Sequence, residues 1–553
     1  MKKYLFIALA ALGFAACEKP AEDNNAQQNG ELEQSYVAIT LAADDMGTRA
    51  DNPVYDEGLA TERTVASAHV FFFDESGEPF IVTWNNPNRN WIMLDTTELG
   101  MGDTAQVDGS VSDISKQVLI INNYKGEYPA KVLAILNWTP NADTYRLSDL
   151  QTAIVALQNS NNHFVMSNAV YDNENANTDA AVVDAVPLTA KNIGKMKPGV
   201  TPSANEVEPV VIYVERIAAK VRYTAEGDTT TGIEGLYDIG VEEVGGNKIY
   251  AQVVGFELFN DHQESYLIKH IDPNWTNTAD NIGFSWNNPA WFRSYWATSI
   301  DKAFPENAFA WNHADIDFGA TENYTYLGEN TAKVAGFNHE NTANYTKVIV
   351  KANLGKVLEN GTFEAVEIAN WFGNNYVGEE NLLKEVANML KNEYFFSTDG
   401  ATFTGITPED LMCVQRGGNE HAYEVFFRLS DKVNVGKAKT WYKYANGTYE
   451  PHAVDKFNEE LAMVQPALVY NDGMTYYWLD IKHLGAPESV GEYGIVRNHV
   501  YDVKINSITG FGTPIYDPNQ DFVVPEKPED VASYVYAQIN ILSWRVVSHN
   551  YDI

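Results

Sequence analysis

Three observations predict a chain built mainly of β-strands, with a few short helices and more than one domain. Its apolar runs are short and end at Gly, Pro, Asn or Asp, the usual punctuation of strands. Only a few stretches, at residues 147–157, 379–391 and 455–463, repeat their apolar side chains at helical spacing. The length is 553 residues, 45% of them hydrophobic, which is ample for several cores.

The elements follow in order. Lys2 and Lys3 precede YLFIALAALGF at residues 4–14, an apolar run too short to span a bilayer. Small residues and Cys17 come next, so the start reads as a secretory signal whose cysteine can take a diacylglycerol. Phe14 departs from the usual Leu of such a lipobox, and the competing reading is an ordinary signal peptide with a chance cysteine. Residues 18–33 are polar with no apolar cluster, so they form a tether rather than a core. In residues 35–43 Val37, Ile39 and Leu41 alternate on one face of a strand. The next stretch, DDMGTRADNP, offers the single Arg49 before Ala50 in a loop-like setting. From these residues alone Arg49 is either a protease target or an ordinary surface arginine.

Strands are expected at residues 65–73, 118–121, 131–136 and 210–223, the last interrupted on its apolar face by Glu215. One helix is expected over 147–157, on Leu147, Leu150, Ile154 and Leu157. A composition break at AEGDTTTG, residues 225–232, marks a domain boundary. Beyond it strands are expected at 251–259, 346–354 and 424–429, and helices near 379–391 and 455–463. Four prolines make residues 513–530 extended or loop-like. A last strand follows in residues 531–553. Ile539 and Ile541 keep one phase there, while Leu542, Trp544 and Val546 keep the other, which calls for a bulge or a change of packing partner after Ile541. The segments are therefore 1–17, 18–49, 50–224, 225–530 and 531–553.

Charge and motifs exclude several functions. A net charge of −37 repels phosphate backbones, so nucleic acid is not expected as a partner. The two cysteines are Cys17 and Cys413, so lipidation of the first leaves no internal disulfide. The eleven histidines form no metal-ligand spacing, and no nucleophile elbow or phosphate-binding glycine loop is present. No catalytic residue, cofactor or metal is expected. Asp315 and Asp317 faintly suggest a calcium loop but lack its remaining oxygens, and a turn fits them better. Trp275, Trp286, Trp291 and Trp296 could stack on sugars or pack a core, which keeps open an alternative, a glycan-binding surface lipoprotein or adhesin.

A resemblance gathers these features. The chain resembles the fimbrillins of Bacteroidales, subunits of type V pili, and most of all the shaft subunits of the short fimbriae. The likeness runs through the lipobox at Cys17, the GTRA loop, VFFFDESG from Val70, KVLAILN from Lys131, FVMSNAVY from Phe164 and VERIAAKVRY from Val214. It is closest in YGIVRNHVYDVKINSI, residues 493–508, and INILSWRVVSHNYDI, residues 539–553. The resemblance implies two transthyretin-like β-sandwich domains and a C-terminal donor strand. It implies a precursor anchored in the outer membrane by its lipid and cut after Arg49 by an Arg-specific, trypsin-like protease. The strand bearing Val37, Ile39 and Leu41 would then be lost. The groove it leaves would accept residues such as Ile539, Ile541, Leu542, Trp544 and Val546 from another subunit. Its partners would be other copies of itself and related tip and anchor subunits, in a fimbrium at the cell surface.

Overall fold

Short apolar runs leave strands whose faces need cover, and the chain supplies it by packing sheet on sheet. The computed structural model describes residues 32–44, 55–56, 58–84, 87–94, 111–124, 126–169, 182–201, 206–228, 231–270, 298–300, 311, 316–318, 320, 323–330, 344–415, 424–431, 439–483, 492–519 and 534–544. The fold is mainly β, as predicted.

The first sheet runs Ile193–Lys195, Leu32–Asp44, Val210–Arg216, Met166–Asn168, Lys131–Leu136, Ala68–Phe73, Trp91–Leu94. Val111–Tyr124 pairs with the other edge of Leu32–Asp44. Val37, Ile39 and Leu41 share its core with Phe71, Ile135 and Ile212. Asn137 ends one of these strands at φ 59, a left-handed conformation that asparagine tolerates. Its amide takes hydrogen bonds from the Ala66 and Ser67 backbone and gives them to the Thr64 and Phe164 carbonyls. One buried side chain thus sets where strand Ala68–Phe73 begins.

The second core lies between two sheets. One runs Asn323–Leu327, Ala219–Ala225, His499–Thr509, Tyr534–Trp544, Tyr55–Asp56. The other runs Leu236–Glu242, Lys248–Phe259, Lys347–Val357, Met474–Asp480, Thr513–Pro514. Val221 and Val503 from one sheet meet Val253 and Val350 from the other, and the rings of Tyr223 and Phe256 stack at 4.8 Å. A third core gathers helices Glu379–Leu390 and Val454–Leu461 with small sheets around Leu382, Val386, Trp441 and Phe457.

Four local expectations are corrected. The helix expected over 147–157 stops at Thr152, and Ile154–Ala156 is a strand paired with Glu264–Tyr266. The β-branched Ile154 and Val155 favour the strand once a partner is available. The single strand expected over 210–223 is two strands, Val210–Arg216 and Ala219–Ala225, in different sheets. An apolar run covered on both sides reads the same whether or not it changes sheets. The strand expected from Val65 begins at Ala68. Leu32–Asp44 is covered on both faces rather than one, since Tyr36 and Ala38 are as buried as Val37 and Ile39. Tyr36 lies over Gly194, where a Cβ would meet its ring at 2.1 Å, and its hydroxyl donates to Glu206 Oε2 at 3.1 Å.

Candidate assembly site

Two strands carry the expected functional residues, and the structure places them differently. The leading strand, Leu32–Asp44, is interior. Along its whole length one edge pairs antiparallel with Val111–Tyr124, with a bulge between Leu41 and Ala42. Its other edge pairs antiparallel with Ile193–Lys195 at residues 35–37, then parallel with Val210–Arg216 at residues 39–43. Val37, Ile39 and Leu41 are each almost wholly excluded from solvent. No other strand bridges Val111–Tyr124 to Val210–Arg216 among the described residues, so the sheet is continuous there only through the leading strand.

The terminal strand, Tyr534–Trp544, pairs antiparallel with His499–Thr509 along its length. Among the described residues its other edge meets only Tyr55–Asp56, parallel, at Ser543 and Trp544. The ladder is unbroken across Ile541 and Leu542, so no bulge lies at the expected phase change. The irregularity sits in the partner strand, between Ile505 and Ser507, opposite Ala537 and Tyr536. What changes near the phase slip is a neighbour: Tyr55–Asp56 joins from Ser543 onward. Cys17, Arg49, Ala50 and Val546 lie outside the described residues, as do Asp315, Trp275, Trp286, Trp291 and Trp296. Asp317 accepts a turn bond from the Ala320 backbone at 3.1 Å, as a turn requires.

Downstream of Arg49 the chain is fastened by buried charge that pattern reading did not find. Residues Ala60–Arg63 form a 3-10 turn, so Arg63 is held by that turn and not by the sheet. Glu62 is buried; its Oε1 accepts from Lys220 Nζ at 2.9 Å and from the Tyr326 hydroxyl, and its Oε2 accepts from the Leu59 backbone at 2.7 Å. Arg216 Nε donates to the Glu62 carbonyl at 3.0 Å and Nη1 to Asn498 Oδ1 at 3.2 Å. A second buried group joins Arg497 to Glu329 at 2.9 Å, and Lys269 lies 3.7 Å from Glu215. Burial raises the Glu215 carboxyl and lowers the Lys269 ammonium from their ordinary values, each opposed by the other's charge. The signal was in the sequence: Glu215, Arg216 and Lys220 stand inside an otherwise apolar run, where unpaired charge is too costly to keep.

Among the described residues no group of His, Cys, Asp or Glu is placed to hold a metal, and no helix is long and apolar enough to cross a membrane. Cys413 is a free, buried thiol, and burial followed by the nearby Glu379 raises it far above its ordinary value.

Residues 468–550 match the family model for the major fimbrial subunit protein type IV, fimbrillin, C-terminal domain. The match takes in strands Met474–Asp480, His499–Thr509, Thr513–Pro514 and Tyr534–Trp544, which are three members of the second sandwich and the terminal strand. It supports a fimbrial subunit and points to a structural, non-enzymatic protein. Among solved structures, the chain is similar to a fimbrilin from Porphyromonas gingivalis, at 12% identity over 93% of this chain and 99% of that one, with a TM-score of 0.37. A fimbrial assembly protein from Parabacteroides distasonis aligns at 10% identity over 72% and 97%, TM-score 0.27. A C-terminally truncated tip fimbrial protein from P. gingivalis aligns at 11% over 92% and 100%, TM-score 0.25. Scores this low carry no inference. No curated protein matches the chain.

Proposed function

We propose that the chain is the precursor of a fimbrial shaft subunit, of the short-fimbria type, that polymerises by exchanging strands. In this reading Cys17 carries a lipid that holds the precursor in the outer membrane, and an Arg-specific protease cuts between Arg49 and Ala50. Segments 50–224 and 225–530 correspond to two transthyretin-like sandwiches, the second taking in strand Ala219–Ala225 as well, and 531–553 is the donor strand. The mature subunit stands in a fimbrium at the cell surface beside copies of itself and tip and anchor subunits.

The observation that carries the proposal is the position of the leading strand. It is paired on both edges and lies in the core, yet it belongs to the segment that cleavage at Arg49 would release. Its loss would strip three large apolar side chains, each worth roughly 1.5–3 kcal/mol of burial, and leave two strands without ladder partners. At about 3.3 Å per residue the vacated groove is roughly 43 Å long and the described terminal strand about 36 Å, so one fits the other. Filling the groove with a neighbour's strand restores pairing and burial together. Head-to-tail repetition does not close, so the product is a fibre.

Electron microscopy of the purified chain before and after limited cleavage by an Arg-specific protease tests this. Filaments that form only after cleavage are expected. A cleaved chain that stays monomeric at high concentration refutes the proposal.

A further inference from the structure

One small sheet departs from the usual alternation of apolar inside and polar outside, because both of its faces carry aromatic rings. It runs Thr404–Gly405, Tyr394–Ser397, Thr440–Ala445, Thr448–Pro451, all antiparallel. Tyr394, Phe396 and Trp441 face the third core, where Tyr394 stacks on Phe457 at 4.2 Å and Trp441 meets it at 5.2 Å. Strand alternation then turns Phe395, Tyr442, Tyr444 and Tyr449 outward. Phe395 is paired with Tyr442, and Tyr444 with Tyr449. Phe403 joins them, its ring parallel to Tyr449 at 3.9 Å and 5.0 Å from Tyr442. Tyr444 and Tyr449 remain 42% and 38% exposed. The hairpin between them turns through Asn446 at φ 52 and Gly447 at φ 83, a tight two-residue turn that fixes their register.

We propose that this outward aromatic face binds a neutral saccharide. Cross-strand tyrosines stabilise hairpins, and that accounts for Tyr444 and Tyr449. It does not account for the continuation of the ring surface along the same strand to Tyr442, and beyond it to Phe395 on the neighbouring strand and Phe403 just before Thr404–Gly405. A pyranose presents a face of C–H groups ringed by hydroxyls. The C–H face suits an aromatic platform, and the hydroxyls suit the phenol groups of Tyr444 and Tyr449 at its rim.

Charge selects a neutral ligand. The charged side chains of these strands, Lys443 and Glu450, are paired with each other in register and belong to the opposite face. Among the described residues these strands therefore offer a cation no carboxylate on this face, and Asp399 in the loop before Phe403 is engaged by Ser397, Ala401 and Thr402, while the net charge of −37 disfavours an anionic sugar or an acidic protein. Size argues against a protein. Five partly exposed rings present roughly 300 Å², whereas a stable protein interface needs about 800 Å² on each side. One to three sugar rings would cover the patch.

The inference does not depend on the fibre reading, and the test keeps them apart. The full chain is applied to an array of neutral oligosaccharides, and those retained are titrated by saturation-transfer NMR. At least one neutral oligosaccharide is expected to bind. Tyr444→Ala and Tyr449→Ala should each weaken it by about tenfold or more, with circular dichroism unchanged. Tyr444→Phe, which keeps the ring and the fold, should weaken it less. Protease-triggered filament formation should be untouched by all three. The proposal is overturned if no neutral oligosaccharide binds at millimolar concentration, or if binding survives both alanine variants. A protein ligand lost in those variants, with no sugar competing for it, overturns it equally.

Discussion

The leading and terminal strands are both long, yet they are held very differently. Leu32–Asp44 is paired along both edges and sits inside a core, while Tyr534–Trp544 has one full ladder and, among the described residues, pairs with a second strand at two positions. A strand held on both edges cannot leave by fraying, because opening it breaks two ladders at once and uncovers apolar surface. Its removal needs a covalent cut. A strand held mainly on one edge can leave by opening a single ladder. Under the proposed scheme the difference gives a direction to exchange: the interior strand would be cut away, and the less constrained one would replace it.

The largest expected effects remove one side of this contrast. Arg49→Ala should block both processing and filament formation, and N-terminal sequencing of wild-type filaments should begin at Ala50. A start at Gln34 or earlier would leave the leading strand in place and sink the scheme. Deleting residues 542–553 should leave a folded, cleavable monomer that forms no filaments by electron microscopy. A cysteine at Val546 should crosslink to one at Leu119, the ladder neighbour of Val37, between chains and only after cleavage. Crosslinks confined to single chains would mean that the terminal strand never leaves home.

Single side chains sharpen the contrast. Ile39→Ala should destabilise the uncut precursor by about 2–5 kcal/mol, as expected for a cavity in a packed core. It should leave assembled, cleaved filaments unaffected, because the residue is no longer present. Urea denaturation of the two forms checks this, and equal losses in both would show that the leading strand persists.

Much of this was legible in the sequence. Alternation at Val37, Ile39 and Leu41 gave the leading strand, and helical spacing gave Glu379–Leu390 and Val454–Leu461 nearly residue for residue. What escaped depends on long-range partners. The change of sheet after Arg216 is invisible because both halves of the run are buried alike. The two-residue strand Tyr55–Asp56 is too short for any period to reveal. The strands that carry the outward aromatic face were not among those expected, and periodicity does not say which side of a sheet meets water.

Acid should loosen the sheet that holds the terminal strand. His499 pairs with Ser543 in that sheet, and its Nδ1–H donates to the Arg497 carbonyl at 2.8 Å. Burial lowers its pKa from 6.5 to about 4. The unfolded chain therefore binds a proton that the folded chain refuses. The stability this supplies is complete above pH about 6.5 and falls toward pH about 4, by up to about 3 kcal/mol. Melting curves across that range should slope less steeply for His499→Gln than for the wild type. Identical slopes would show that the ring is protonated without penalty.

The smallest expected effect concerns the terminal strand's second edge. Tyr55–Asp56 follows the proposed cleavage point by only a few residues and pairs with Ser543 and Trp544. Before cleavage the chain behind it leads back to the leading strand, which is fixed in the first sheet; after cleavage that tie is gone. The short strand should therefore restrain the terminal strand more in the precursor than in the cut chain. Tyr55→Pro removes a backbone donor and narrows φ at this position, at a cost of about 1 kcal/mol if a hydrogen bond is lost. Amide exchange in residues 534–544 should then quicken about fivefold in the precursor. It should change little in the cleaved subunit, where the tie is already cut. Equal quickening in both would mean that the pairing acts only as a local ladder and takes no part in holding the donor strand before processing.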